Sequence, residues 1–293
     1  MKALKKSNIV ICGIVKNAAA NLRKNIPVMD AVCGVSGDYH VVIFEDGSSD
    51  GTKEVLKDWS ERNDRVSVFF DHKLSQDKVI RELPNEENEG SPFYAANRNA
   101  KMATLRNQYL EYIDSQSWNL DYVVIVDLDV EKISLDGIFS SFATVEDWDA
   151  ITANGHSLSP HLKRRFHDTY PLIEVGHGDD VRRESDMKIL SAKYANLKPG
   201  DSLVRVYSAY GGLAIYRYAA IKGLRYKLEY NKDPNVQSYA EHVSLYRQMH
   251  ERGYENIYIN PSMEIKYQSI LRLSTLKNSM KSRLSKLFRI LKK

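Results

Sequence analysis

Asp121-Tyr122-Val123-Val124-Ile125-Val126-Asp127-Leu128-Asp129 is the stretch on which the fold turns. Its apolar run reads as a buried strand over 121–127. Asp127 and Asp129 close that run, one residue apart, so both carboxylates sit at the strand's carboxyl edge. In open α/β sheets that edge is where ligands bind. Two carboxylates with oxygen-only neighbours suit Mg2+ or Mn2+ holding a diphosphate. A polar strand end that merely caps the next turn gives the same pattern, so the rest of the chain has to decide.

Working outward, strands alternate with helices. Residues 8–15 read as a buried strand, 18–32 as a helix with a break or bend at Pro27, and 39–44 as a second strand. A turn at Asp46-Gly47-Ser48-Ser49-Asp50-Gly51 leads into a helix over 51–63, capped by Ser49 or Asp50. A third strand covers 65–70, and the charged segment 71–91 reads as a loop. A long helix follows over 92–115, with Ser91 as cap and Pro92 at its first position. This βα alternation predicts a mainly parallel sheet flanked by helices. The second half is less regular. It offers a strand near 149–154, loops with short helices over 155–202, and a strand over 211–217. A helix over 238–252 carries Val243, Tyr246 and Met249 at helical spacing, with Ser238 as cap and Gly253 as stop.

Composition bounds the class. The 293 residues are 43% hydrophobic and 27% charged, which suits one large globular domain, alone or with an appendage. Cys12 and Cys33 have no zinc or disulfide spacing, so a reducing compartment is expected. The apolar stretch Ile9–Val15 is too short for a signal peptide and reads as the first strand. Net charge is +4, yet from Arg272 onward there are eight Lys/Arg and no acid. Residues 1–271 hold 34 basic and 38 acidic residues, which argues against a nucleic-acid-binding body. Leu273, Leu276, Met280, Leu284, Leu287 and Leu291 share one helical face among the basic residues. Residues 269–293 therefore read as a basic amphipathic tail helix, suited to an anionic membrane surface or to packing on the body or a second copy, giving a homodimer.

Four ordered stretches resemble a GT-A glycosyltransferase of the family 2-like group. They are Gly13-Ile14-Val15-Lys16-Asn17-Ala18, Glu45-Asp46-Gly47-Ser48-Ser49-Asp50-Gly51-Thr52, Asn88-Glu89-Gly90 with Asn97-Arg98-Asn99, and Asp127-Leu128-Asp129. The resemblance covers residues 8–155 well; beyond that it rests on Gly211-Gly212 and Glu241-His242. It implies a GT-A domain over 1–268, with a nucleotide-binding part at about 8–130 and an acceptor part at about 150–268.

The roles that follow are those the resemblance implies. Gly13, Lys16 and Asn17 belong to the nucleotide site. Glu45 or Asp46 accepts a hydrogen bond from a base N–H; Glu45 departs from the family's usual Asp. Arg98 approaches the nucleotide or the D-x-D carboxylates, and Asn99 is structural. Asp129 holds the metal, and Asp127 contacts ribose or metal. Glu241 is the expected base on the acceptor hydroxyl, and His242 is either a third metal ligand or a core histidine. Gly211 and Gly212 line the acceptor side or form a bulge.

The expected activity is transfer of a sugar, with Mn2+ or Mg2+, to a glycan or lipid-linked acceptor in surface polysaccharide or glycoconjugate synthesis. A UDP-sugar is the first expectation for the donor and GDP-mannose the second. Inversion is expected, with retention open. The expected place is the cytoplasm, peripherally on the membrane's cytoplasmic face. Two rivals remain: a sugar-nucleotide pyrophosphorylase, which would want a glycine-rich basic loop after strand one, and a non-catalytic nucleotide-sugar-binding protein of the same fold.

Overall fold

The computed structural model describes residues 4–70, 91–158 and 163–267. The tail helix expected over 269–293 and the Asn88-Glu89-Gly90 stretch lie outside the described residues. Among the described residues, no helix is long and apolar enough to cross a membrane.

The N-terminal half forms as its pattern predicts. Strand β1 (Asn8–Val15) has β2 (Asp38–Glu45) on one side and β4 (Tyr122–Val126) on the other, both parallel to it. Strand β3 (Val66–Phe69) extends the sheet beyond β2, again parallel. The chain thus builds outward from β1 through β2 to β3, then returns to add β4 on the opposite flank of β1. A crevice opens at the carboxyl end of the sheet where strand order reverses. Val15 pairs in register with Glu45, so the loops after β1 and β2 leave the sheet at one level.

The sheet is buried on both faces. Ile9, Ile11 and Val15 face helix α1 (Ala19–Cys33) and helix α2 (Thr52–Arg62), through Leu22, Ile26, Met29, Leu56 and Trp59. Val10 and Cys12 face helix α3 (Ala96–Asp114), through Ala103, Tyr109, Leu110 and Ile113. The period of two within β1 explains why a near-continuous apolar run is needed there. Each fully buried Leu or Ile contributes about 1.5–3 kcal/mol. Helix α1 runs unbroken through Pro27, so the expected break is absent. The long helix begins later than expected: Pro92–Tyr94 forms a separate 3-10 turn, whose Phe93 N–H donates to Ser91 Oγ at 3.3 Å.

Beyond β4 the sheet becomes mixed. Strand β9 (Leu213–Arg217) lies antiparallel to β4, and β6 (Ala150–Leu158) antiparallel to β9. Strand β12 (Ile257–Lys266) runs parallel to β6, and β5 (Lys132–Ile133) closes the order against β12. Short strands β7 (Arg164–Phe166) and β8 (Val204–Arg205) pair with β6 and β12. Helix α4 (Leu135–Ser141) lies close on β12 because Gly137 has no side chain; a Cβ there would stand 2.2 Å from Ser262 O. Helix α5 (Glu184–Lys193) belongs to the irregular segment. A hairpin of β10 (Tyr230–Asp233) and β11 (Val236–Ser238) delivers the chain into helix α6 (Glu241–Glu251). That helix packs Leu245, Tyr246 and Met249 on the α3 face of the sheet. Gly253 ends it with φ +82°, as read from the sequence. Ser238 does not cap it; the Ser238 hydroxyl instead accepts from Asn99 Nδ2 at 2.6 Å.

Candidate functional site

A cavity of about 730 Å3 lies at the carboxyl ends of β1, β2 and β4. The loops after β1 and β2 make its first wall. Asn17 adopts a left-handed backbone (φ +51°), which Asn tolerates better than most residues. Its N–H donates to Ser48 Oγ and its Oδ1 accepts the Ser49 N–H, each at 2.9 Å, joining the two loops. Asp50 accepts N–H groups from Ala19 and Thr52 at 3.2 and 3.0 Å, tying together the starts of α1 and α2. Ser48, Ser49 and Asp50 are therefore turn-forming residues.

The Glu45-Asp46 pair divides its labour. Glu45 is fully buried, and its carboxylate accepts the Ser48 N–H inside the turn. It does not line the cavity, which corrects its reading as a nucleotide contact. Asp46 does line it, with Lys16 Nζ at 3.2 Å and Lys101 Nζ at 3.5 Å from the same oxygen. Gly13 is also corrected. It lies buried within β1, where a Cβ would stand 2.9 Å from Val126 O, so it serves the close approach of two strands.

The D-x-D loop makes the floor. Leu128 is wholly buried and anchors it in the core. Two side chains one turn apart on α1 hold its backbone: Asn21 Nδ2 donates to Asp129 O at 2.5 Å, and Asn25 Nδ2 to Leu128 O and Val130 O at 3.0 and 2.8 Å. Asp127 accepts from Tyr210 Oη at 2.8 Å and lies 3.6 Å from Arg106 Nη2. Loss of water pushes its carboxyl up to about 6, against the pull of Arg106. Asp129 is exposed at the cavity.

Arg98 lines the cavity, but its guanidinium packs 4.1 Å from the Phe93 ring centroid and donates to Phe93 O at 3.3 Å. The guanidinium that reaches the carboxylates is that of Arg106. It is 6% exposed, donates from Nε to Glu241 Oε1 at 2.9 Å, and lies 5.0 Å from the Tyr210 ring centroid. The sequence reading missed Arg106. Its signal was a lone cation on the stripe Ala103, Arg106, Leu110, Ile113, which faces the core. Asn99, read as structural, is fully buried and also donates to Tyr170 Oη at 2.5 Å.

The far wall holds Glu241 and His242 at the start of α6. His242 is 3% exposed, stacks on Tyr210 at 3.9 Å and lies 3.6 Å from Glu241 Oε1. Burial and the nearby Arg106 push its imidazolium well below the usual range, so it is neutral. Among the described residues no group of three or more His, Cys, Asp or Glu side chains is arranged to hold a metal, so the trio Asp127, Asp129 and His242 is not assembled as a ligand set.

Gly211 and Gly212 have φ of +68° and +90°. A Cβ on Gly211 would stand 2.1 Å from Ala153 O, and one on Gly212 2.7 Å from Tyr267 Oη. The close approach that the glycines allow is thus by the protein's own groups. Their backbone holds two acids: Gly212 O accepts the Asp127 N–H at 2.8 Å, and the Gly211 N–H donates to Asp168 Oδ2 at 3.0 Å. Asp168 lines the cavity and was missed by the sequence reading, because it sits in the irregular segment with no periodic pattern. Loss of water, then the Asp127 charge, pushes its carboxyl up to about 7.

No curated protein sequence matches the chain. Among solved structures, the mannosyltransferase PcManGT from Pyrobaculum calidifontis, in complex with GDP-Man and Mn2+, shares 13% identity over 89% of this chain and 56% of that one, with a TM-score of 0.48. TarS from S. aureus in complex with UDP-GlcNAc shares 13% over 89% of this chain and 59% of that one, at 0.44. GalNAc-T7 with UDP, GalNAc and Mn2+ shares 12% over 94% of this chain and 48% of that one, at 0.48. This chain spans less than two thirds of each. The family described as Cryptococcal mannosyltransferase 1 matches residues 25–254. Its architecture is a mixed sheet flanked by helices, and the chain belongs to that family.

Proposed function

We propose that the chain transfers a mannosyl group from GDP-mannose to a hydroxyl of a glycan or lipid-linked acceptor. The observation that carries this reading is the grouping of acids in one cavity at the strand-order reversal. Asp46 lies on the wall formed by the β1 and β2 loops, Asp127 and Asp129 lie on the floor, and Asp168 and Glu241 lie opposite. A cavity of this size accommodates a nucleotide sugar. The family's name favours mannose, and with it GDP-mannose over the UDP-sugar suggested by the sequence.

The residues fit a divalent cation completed by the donor. Asp129 offers a hard oxygen donor at the cavity, on a loop whose backbone is held by Asn21 and Asn25. Asp127 is committed to Tyr210 and Arg106, which suits contact with ribose or a water. Bound at Asp129, Mn2+ or Mg2+ would neutralise charge on the departing diphosphate. The chain's own cations act beside it: Lys16 and Lys101 orient Asp46 for a base N–H, and Arg106 balances Asp127 and Glu241.

The test is a thermal-shift series with GDP and UDP, each with and without Mn2+. A ligand that binds only the folded chain raises the melting temperature. GDP should raise it more than UDP, and Mn2+ should enlarge the shift in wild type but not in Asp129→Ala. Equal shifts with and without Mn2+ in wild type would remove the metal from the reading.

A further inference from the structure

We propose that Asp168, and not Glu241, is the carboxylate that takes the proton of the acceptor hydroxyl; the inference rests on the transferase reading above. A proton acceptor needs an oxygen open to the cavity and a fixed orientation. Asp168 has both. Its side chain is half-buried in the cavity wall, Oδ2 accepts the Gly211 N–H at 3.0 Å, and among the described residues Oδ1 carries no other hydrogen bond. Glu241 lines the same cavity and is also held in place, but it is more enclosed. Its carboxylate is 7% exposed, and Oε1 is bound to Arg106 Nε at 2.9 Å. Arg106 occupies that oxygen, and Glu241 is buried where Asp168 is only half-buried.

Placement supports the assignment. Adjacent glycines hold the two acids: Gly211 fixes Asp168 through its N–H, and Gly212 fixes the backbone of Asp127 through its carbonyl. The acceptor-side acid therefore stands at a set offset from the loop that would hold the diphosphate. Tyr267 and His167, stacked at 4.0 Å, line the same cavity and offer a ring and polar edges to a sugar. The charged neighbours of Asp168 are Asp127 on the floor and Glu241 on α6, which repel its ionised form, and Arg106 on α3, which attracts it.

The step balances. The acceptor O–H bond breaks and the proton moves to Asp168 Oδ1. The hydroxyl oxygen forms a bond to C1 of the sugar, and the C1–O bond to phosphate breaks. That electron pair leaves on the nucleoside diphosphate.

The test uses the full chain with Mn2+ and whichever of GDP-mannose and UDP-glucose the wild type hydrolyses, water being the acceptor. Asp168→Ala should release nucleoside diphosphate roughly 10²–10⁴-fold more slowly, with diphosphate affinity within about threefold of wild type. Added formate should restore at least about tenfold to Asp168→Ala and nothing to Glu241→Ala, a rescue that a merely structural role would not give. Asp168→Asn keeps an acceptor for the Gly211 N–H and should be as slow, which covers a folding failure of the alanine variant. Both Asp168 variants within about tenfold of wild type, or a sugar-Asp168 adduct detected by mass spectrometry, would overturn the proposal while leaving the transferase reading intact. Wild type that releases nucleoside diphosphate from neither donor, with water or with a mannoside as acceptor, would overturn both.

Discussion

Arg106 and Glu241, 135 residues apart in the chain, form an ion pair with Nε to Oε1 at 2.9 Å between side chains only 6% and 7% exposed. The pair joins helices α3 and α6 across the cavity's inner end. It draws in Asp127, 3.6 Å from Nη2, so one guanidinium organises two acids. Breaking a buried pair by removing one partner strands the other charge and costs about 3–5 kcal/mol. Arg106→Met should lower unfolding free energy by that amount in urea titrations, and adding Glu241→Leu should recover most of it. A loss below about 1 kcal/mol would mean that water reaches Glu241 freely.

Asp46→Asn should weaken diphosphate binding without metal, because the proposed partner of Asp46 is the base and not the phosphates. Loss of a charge-assisted hydrogen bond costs about 1.5–3 kcal/mol. Isothermal titration of GDP reads this directly. An unchanged affinity would leave Asp46 only as the counter-charge of Lys16 and Lys101.

Gly211→Ala should destabilise the chain by more than about 1–3 kcal/mol, because a Cβ adds a clash 2.1 Å from Ala153 O to the strain of φ +68°. It should also slow donor hydrolysis, since Asp168 loses its anchor. Gly176→Ala is the control. Its φ is +87°, but a Cβ there meets nothing within 4 Å, so it should cost the backbone strain alone and spare activity.

Asp168 gives stability a dependence on pH. Its folded pKa, about 7, lies above the usual 3.8, so the folded chain holds this proton more tightly than the unfolded one. Stability from this group is full below pH 3.8 and is lost as pH rises toward 7. Asp168→Asn should therefore raise the melting temperature more at pH 8 than at pH 4, measured without divalent cation. An equal gain at both values would mean that the carboxyl titrates as if exposed.

The N-terminal half was legible because its signals are local. The strands at 8–15, 39–44 and 121–127, and the turn at Asp46–Gly51, form within a residue or two of expectation. Asp46, Asp127, Asp129, Lys16 and Asn17 converge because each follows a strand, and strand ends share one edge. Legibility failed where long-range packing decides. Strand β12 was not read, although burial alternates along much of it. Glu45 carries the motif's first acid, but its carboxylate turns inward to the Ser48 N–H, which spacing alone does not reveal. Arg98 fits the family pattern, while Arg106 gains its role only when α3 meets α6. Asp168 depends on the positive φ of Gly211, visible only once the backbone is folded.

The most direct test of the central claim is nucleotide release from GDP-mannose by the full chain, followed chromatographically with Mn2+, with EDTA, and with Asp129→Ala. The account predicts catalytic release of GDP with Mn2+, with the mannosyl group passed to water or to a mannoside acceptor, and loss of turnover in the other two arms. Tight GDP binding with GDP-mannose left intact in every arm would contradict it, and would make the chain a nucleotide-sugar-binding protein built on a transferase fold.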